Sequence, residues 1–360
     1  MTTLTSFLAE IEEKVNSKIR LTREEGLKIL EAKDEGEIAE IGRLANQVRK
    51  RDSGETVTYA STLNINPTNL CELNCTFCSF YAKPGWDKAW FLTPEAIEKK
   101  IRSKISFGLT EIHIVGGLWR DCDLNYYQEL FTRIKGIDPH LHIKALTPVE
   151  YDFLAKQHGL TIEQVFEKMI SWGLGSLPGG GAEILVESIR KKIAPGKITS
   201  DEYLHVHKIA HQLGLHSNIT MLFGHIEENE DILTHLCKVR DLQDETKGFK
   251  NFIPLKFNLE NNALGKRKNQ LKTKHIPLVY AVSRLMLDNF PKLKVLWNYV
   301  GVQEALEILD WGACDLSSTN FEEKIIVMAG SKERPLDRET MEELIKSRGR
   351  IPKLIHSGEI

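Results

Sequence analysis

Nowhere in the 360 residues is there a run of the ~18 apolar residues that a membrane-spanning helix needs. Neither sign of charge dominates, since 48 Lys and Arg against 50 Asp and Glu leave a net charge of −2. A surface that wraps nucleic acid needs clustered cations, so no nucleic-acid partner is expected. A small anion held by a few pocket cations stays open, because net charge is blind to it. Six cysteines are too few for a disulfide scaffold. The opening segment, MTTLTSFLAEIEEKV, has acids where a secretory signal has bases. Together these features predict a cytoplasmic protein with no membrane partner, in which clustered thiols point to metal or redox chemistry. No internal repeat or low-complexity tract is visible, and no G-x-G-x-x-G follows the first strand candidate, which disfavours a dinucleotide fold.

What is present reads as an ordinary globular chain, 41% hydrophobic and 27% charged. Residues 1–58 read as helical and polar, with no strand signal. Thr22-Arg-Glu-Glu25 is a capping-box pattern that opens an amphipathic stretch, GLKILEAKDEGEIAEIGRLANQVRKR. From about residue 59, short apolar runs alternate with helix-like segments. The strand candidates are 62–66, 111–115, 141–147, 174–178, 216–223, 251–257, 293–300 and 313–318. Helices between them carry start signals, such as Thr93-Pro94 and the capping box Thr199-Ser-Asp-Glu202. Eight strand-then-helix units over about 260 residues predict a (β/α)8 barrel with an N-terminal helical extension. The expected division is 1–58 extension, 59–330 barrel and 331–360 a C-terminal helical segment, either a solvated tail or a lid.

In such a barrel, chemistry belongs at the C-terminal strand ends. Those ends carry a cysteine cluster after strand one, Gly116-Gly117 after strand two and Thr147 to Glu150 after strand three. Pro178-Gly-Gly-Gly181 with Glu183 follows strand four, and Gly224-His225-Ile-Glu227 follows strand five, which also carries Asn218. Asn298 lies in strand seven. Consecutive glycines before AEILVESIRKKI would let backbone N–H groups meet an anion at a helix start. His207 and His211 share a helix face, read as solvated. Arg284 and Asp288, one turn apart, are read as a structural pair on their helix.

Cys71-Glu-Leu-Asn-Cys75-Thr-Phe-Cys78 places three thiols within eight residues, in a loop leaving a strand. Thiolates are the usual ligands of iron–sulfur clusters. A zinc knuckle is the alternative, but it wants a fourth Cys or His, and Cys122, Cys237 and Cys314 are isolated. A [4Fe–4S] cluster held by three cysteines leaves one iron open to a substrate or cofactor.

The spacing C-x3-C-x-aromatic-C resembles the signature of the radical S-adenosylmethionine (SAM) enzymes. The resemblance implies that Cys71, Cys75 and Cys78 hold a [4Fe–4S] cluster whose open iron chelates SAM. One electron would then cleave SAM into methionine and a 5′-deoxyadenosyl radical. It also implies that Phe77 lies near the adenine and Gly116-Gly117 against the methionine moiety. Glu183 is expected at the SAM ribose, with Glu150 and Asn218 completing the cofactor set. His225, Glu227 and Asn298 are expected to serve the substrate. A closer resemblance spans roughly residues 20–350. NINPTNLCELNCTFCSFY, IHIVGGL, SLPGGGAEIL, SNITMLFGHIE, LQDETKGFKNFIPLKF and SRLMLDN look like the futalosine-pathway enzymes of menaquinone biosynthesis. The triple glycine, SN before ITM, and PLKF are more similar to aminofutalosine synthases than to dehypoxanthine futalosine cyclases. The implied reaction adds the adenosyl radical to the enol ether of 3-[(1-carboxyvinyl)oxy]benzoate, with rearrangement and decarboxylation. The implied partners are that dicarboxylate and a one-electron donor such as flavodoxin or ferredoxin.

Overall fold

The computed structural model describes residues 2–272 and 274–356. Three helices come first: α1 (Thr2–Asn16), α2 (Arg23–Leu30) and α3 (Glu35–Ser53). The Thr22 hydroxyl accepts from the Glu25 N–H at 3.2 Å and the Glu25 carboxylate accepts from the Thr22 N–H at 2.8 Å, the reciprocal pair the spacing predicts. The amphipathic stretch beyond it is two helices, because Asp34 caps a second start on the N–H groups of Gly36 and Glu37.

Among the described residues ten strands follow: β1 (Thr56–Ala60), β2 (Thr62–Ile65), β3 (Glu111–Ile114), β4 (His142–Ala145), β5 (Leu174–Leu177), β6 (His216–Phe223), β7 (Phe249–Lys256), β8 (Lys292–Leu293), β9 (Asp315–Ser318) and β10 (Ile351–Ile355). Strands β2 to β8 form a seven-stranded parallel sheet in chain order, and β1 lies between β10 and β9 in a second, parallel one. Hydrogen bonds from Cys314 N–H to Leu293 O (3.0 Å) and Val295 N–H to Asp315 O (2.9 Å) join β8 to β9. Bonds from Phe321 N–H to Thr62 O (3.1 Å) and Asn64 N–H to Phe321 O (2.8 Å) join the chain after β9 to β2. The sheet is thus a curled half-barrel whose open side β9 spans. This is the barrel architecture expected from the alternating units, reached with short parallel strands.

Two apolar cores flank the half-barrel. One gathers Ile97, Ile101, Leu130 and Ile134 from helices against Ile112, Ile114 and Ile143 of β3 and β4. The other packs α1 to α3 against β6 to β9 and their helices through residues such as Ile41, Leu44, Val282 and Leu309. The lumen between them is polar, as described below.

Four expectations are corrected. The stretch up to residue 58 does contain a strand, β1, whose run TVTYA is short and adjoins a charged helix. The run 293–300 is not a strand throughout: after Val295 it turns into the helix Trp297–Val300, pinned by the Trp297 indole N–H donating to Ser318 O at 2.9 Å. His207 and His211 face inward, where His207 is fully buried and both pack edge-on against Phe249. Arg284 does not pair with Asp288. It is buried and donates from Nε to Gly312 O at 2.8 Å, while Asp288 meets Arg20 at 3.0 Å.

The segment after residue 331 carries the helix Arg338–Ser347 and then β10. β10 lies beside β1, which precedes β2, and Ile355 O accepts from the hydroxyl of Thr110, the residue before β3, at 3.1 Å. That places β10 at the N-terminal ends of the strands, away from the mouth. Pro352 is tolerated there because β10 is an edge strand.

Removing the Arg284 side chain strips the bonded partner from the buried Gly312 carbonyl. Arg284→Ala is expected to cost about 2–3 kcal/mol, read as a fall of several degrees in the calorimetric Tm with the same iron content.

Candidate active site

One cavity of ≈340 Å³ opens at the C-terminal strand ends and is lined by residues from all around the sheet. Its first wall is the long irregular connection between β2 and the helix Pro94–Lys104. That loop has no regular structure, so backbone bonds within it and to neighbouring segments set its position. Cys71 N–H donates to Ala82 O (3.1 Å), Glu72 N–H to Leu118 O (2.9 Å) and Thr76 N–H to Ile193 O (2.7 Å), while Leu264 N–H donates to Thr76 O (2.8 Å). The Lys83 ammonium donates to three successive carbonyls, of Cys71 (2.8 Å), Glu72 (2.8 Å) and Leu73 (3.1 Å).

Cys71, Cys75 and Cys78 all line this cavity and none is in a disulfide. Burial pushes the Cys75 thiol up to about 11, partly offset by Lys197, and burial raises Cys78 too. Buried thiols of this kind stay neutral unless positive charge stabilises the thiolates, which a bound iron cluster supplies. Among the described residues, no three His, Cys, Asp or Glu side chains converge on a position for one ion. A single tetrahedral zinc needs such convergence; thiols that each take a different corner of a cluster do not.

Gly116 and Gly117, after β3, are glycines because the cysteine loop touches them. A Cβ on Gly117 would sit 2.1 Å from Leu70 O, whereas one on Gly116 would meet Thr68 O at 3.1 Å. Gly117 N–H also donates to Thr68 O at 2.9 Å. Glu150 lies behind them. Its two carboxylate oxygens accept from Gly116 N–H (2.9 Å) and Thr147 N–H (2.7 Å), and burial raises its pKa to about 7 despite those bonds. Glu150 therefore ties the start of one helix to the glycine pair, although it also borders the cavity.

The triple glycine does not run into a helix, which begins only at Glu187. A Cβ on Gly179 would sit 2.0 Å from Asn218 O, and Gly179 and Gly181 have φ of +83° and +93°. The glycines therefore let β5 turn sharply beside β6. Glu183 adopts φ +49° and faces the cavity, ion-paired with Lys197. Burial works against the Lys197 charge, but Glu183 and Cys75 hold its pKa above the ordinary lysine value. Its ammonium lies 5.2 Å from the Phe77 ring centre. Asn218, Asn298 and Phe77 line the cavity as well, and the Asn298 side-chain oxygen is buried with no hydrogen-bond partner among the described residues.

His225 and Glu227 are not brought there. Both are fully buried in their own turn. Glu227 accepts from Gly224 N–H (2.6 Å) and His225 N–H (2.8 Å), and the His225 ring bonds Leu222 O (3.0 Å) and Ile226 N–H (2.7 Å). Burial lowers the His225 pKa. The polar cluster that looked like substrate chemistry locks a strand-to-helix turn.

Sequence reasoning missed Glu111, Lys144 and Lys294, the charges that accompany Asp315 inside the barrel. Glu111 pairs with Lys144, and Lys294 lies 3.5 Å from Asp315, all four buried. Burial opposes ionisation of Glu111, but Lys144 and Lys294 hold its carboxyl well below the usual range. His113 lines the cavity beside them, its pKa lowered to about 3 by burial and by Lys144. A signal was present: these charges stand at alternate positions of otherwise apolar strand runs, where they must point inward.

This arrangement matches known proteins. The radical SAM superfamily description matches residues 65–238 and that of the CofH/MqnC C-terminal region matches residues 246–358. The chain belongs to the radical SAM superfamily, whose members carry a [4Fe–4S] cluster and use SAM on small-molecule substrates with a reductant. Aminodeoxyfutalosine synthase of Thermus thermophilus is 38% identical over 96% of this chain and 93% of its own. 5-Amino-6-(D-ribitylamino)uracil–L-tyrosine 4-hydroxyphenyl transferase of Methanoculleus marisnigri is also 38% identical, over 96% and 95%. Cyclic dehypoxanthine futalosine synthase of Halalkalibacterium halodurans is 34% identical over 95% and 91%. The crystal structure of methylornithine synthase superposes with a TM-score of 0.78 over 95% of this chain and 97% of that one, at 17% identity, which shows the shared fold.

The two glycines separate a tight contact from a looser one. Gly117→Ala is expected to displace Leu70 and Cys71 and to lose most of the reconstituted iron, whereas Gly116→Ala retains most of it. Iron per chain and the melting profile of both variants check this.

Proposed function

We propose that the protein is an aminodeoxyfutalosine synthase, joining the adenosyl group of SAM to 3-[(1-carboxyvinyl)oxy]benzoate with loss of methionine and one carboxyl group. The observation that carries this reading is the cavity itself, where three thiols and a glycine-walled recess face a lysine-bearing wall across one space. The nearly full-length likeness to the Thermus thermophilus synthase supports it, as do the SLPGGGAEI, SNITM and PLKF segments. In this reading Cys71, Cys75 and Cys78 hold the cluster and leave one iron open. A cluster so bound supplies the electron that cleaves the S–C bond of SAM.

The chain's own residues then have distinct tasks. Phe77 packs on the adenine. Gly116 and Gly117 let the methionine end approach backbone. Glu183, ion-paired with Lys197, accepts from the ribose hydroxyls, and Glu150 and Asn218 support that wall from behind. Asn298 faces the substrate. The lumen's pairing of Glu111 with Lys144 and Asp315 with Lys294 fixes dipoles around a reactive centre while excluding loose hydrogen donors. A one-electron carrier such as flavodoxin or ferredoxin serves as reductant.

The cyclase of the same pathway is the second reading, favoured by the Halalkalibacterium halodurans relative. The Methanoculleus marisnigri transferase, equal in identity to the synthase, is a third. The fate of the adenosyl group decides. Reconstituted protein reduced under anaerobic conditions and given SAM and the enol ether is expected to yield a product containing the adenosyl group, by mass spectrometry. The same protein given SAM and dehypoxanthine futalosine, consuming the latter with release of free 5′-deoxyadenosine, would establish the cyclase instead. Consumption of tyrosine with 5-amino-6-(D-ribitylamino)uracil would establish the transferase.

A further inference from the structure

Four lysines line the cavity: Lys144, Lys197, Lys256 and Lys294. Three have a carboxylate of the chain as ion-pair partner, namely Glu111, Glu183 and Asp315. Lys256 has none within ion-pair distance among the described residues. It ends β7, half-buried, with its neighbours Leu255 and Phe257 also on the cavity wall. With the other three lysines ion-paired, Lys256 is the cavity lysine without a carboxylate in direct contact; the nearest acid that feels its charge is the partly exposed Glu304, which is not on the cavity wall. Glu323, an acid of the same wall, has its oxygens engaged by the N–H groups of Ile325 (2.8 Å) and Ile326 (3.0 Å).

Two buried amides stand on the neighbouring strand ends. Asn298 follows β8 and Asn320 follows β9; both are more than nine-tenths buried and both line the cavity. Among the described residues, the Asn298 Oδ1 and the Asn320 Nδ2 have no hydrogen-bond partner. The other end of the Asn320 amide is committed, since its Oδ1 accepts from the Ser318 hydroxyl at 2.9 Å. That bond leaves Nδ2 as a free donor, and a buried donor without a partner costs about 1–3 kcal/mol unless a ligand satisfies it. The backbone here is also strained. Ser317, Asn320 and Glu322 adopt left-handed φ of 64°, 53° and 59°, a conformation that persists only where surrounding structure imposes it and that clusters at binding sites.

The cofactor-facing features come from β2, β3 and β5, whereas Lys256, Asn298 and Asn320 come from the adjoining strands β7, β8 and β9. We infer that the ends of β7 to β9 form an anion subsite in which the Lys256 ammonium, with the Asn320 amide as second donor, binds a carboxylate of an aromatic acid. Leu255, Leu296 and Ile326 line the same cavity and supply apolar surface for the ring. The identity of that acid as the enol-ether diacid rests on the proposed function; the subsite does not.

The test separates the two. Isophthalate, an unreactive meta-dicarboxylate, is titrated calorimetrically into cluster-reconstituted parent, Lys256→Met and Lys256→Arg proteins. The parent is expected to bind at millimolar concentration, Lys256→Met to bind roughly tenfold or more weakly, and Lys256→Arg to recover most of the loss, with unchanged iron content and Tm. Asn320→Ala is expected to weaken binding several-fold and carries the test if Lys256→Met does not fold. Equal binding by parent and variants, or no binding by the parent, overturns the subsite. A parent that binds isophthalate but leaves the enol ether unconverted upholds the subsite and removes the assigned substrate.

Discussion

The site depends on one constraint: an irregular loop of more than twenty residues must hold three thiols in fixed positions without a helix or strand to do it. Its backbone N–H and C=O groups find partners in the loops after β3, in the helix Glu187–Ile193 and in the segment near Leu264, and the Lys83 ammonium gathers three of its carbonyls. The partners outside the loop lie at the C-terminal end of the sheet, so the strand ends fix where the loop sits. Long structureless connections in compact domains are commonly functional. Here the physical reason is visible, since the only way to place Leu70 against Gly117 is for residue 117 to have no Cβ.

The lumen poses a second constraint. Buried charges cost several kcal/mol each unless paired, yet this barrel keeps Glu111, Lys144, Lys294 and Asp315 inside. Thr62 donates to Glu111 at 2.8 Å, and Thr58 to Asp315 at 2.8 Å, so the carboxylates have hydrogen bonds as well as counter-ions. In barrels whose interior is filled by branched apolar side chains the lumen is closed. Here the polar lining leaves a space that a ligand can enter, and Lys256 is the lining lysine without an ion-pair partner among the described residues. Glu183 and Lys197 repeat the same logic beside the cysteines. Electrostatics thus divides one cavity into a thiol-bearing side and an anion-binding side.

Much of this was legible in the chain. The strand β6 occupies the whole of the apolar run 216–223, and the caps at Thr22, Thr93 and Thr199 begin helices as their residue types require. Cysteine spacing and glycine pairs are local signals, and they survive into the structure because they serve one loop and its immediate contact. What was illegible is tertiary. An amphipathic stretch split at Asp34, the run 293–300 turned helical where Trp297 found Ser318 O, and β10 gained strand geometry only from the free edge of β1. His225 and Glu227 looked reactive because polar residues after a strand usually face the mouth; their turn instead folds them onto its own backbone. Lys197 and Lys256 were missed for the converse reason, because a lone lysine in a loop or at a strand end has no sequence mark that distinguishes a cavity from solvent.

The account's central claim is that the three cysteines present a cluster with one iron open to SAM, and the electron paramagnetic resonance spectrum of the reduced, reconstituted protein tests it most directly. Adding SAM is expected to change the spectrum of the parent protein, because a ligand enters the coordination sphere of one iron. A spectrum that SAM leaves unchanged would contradict the claim.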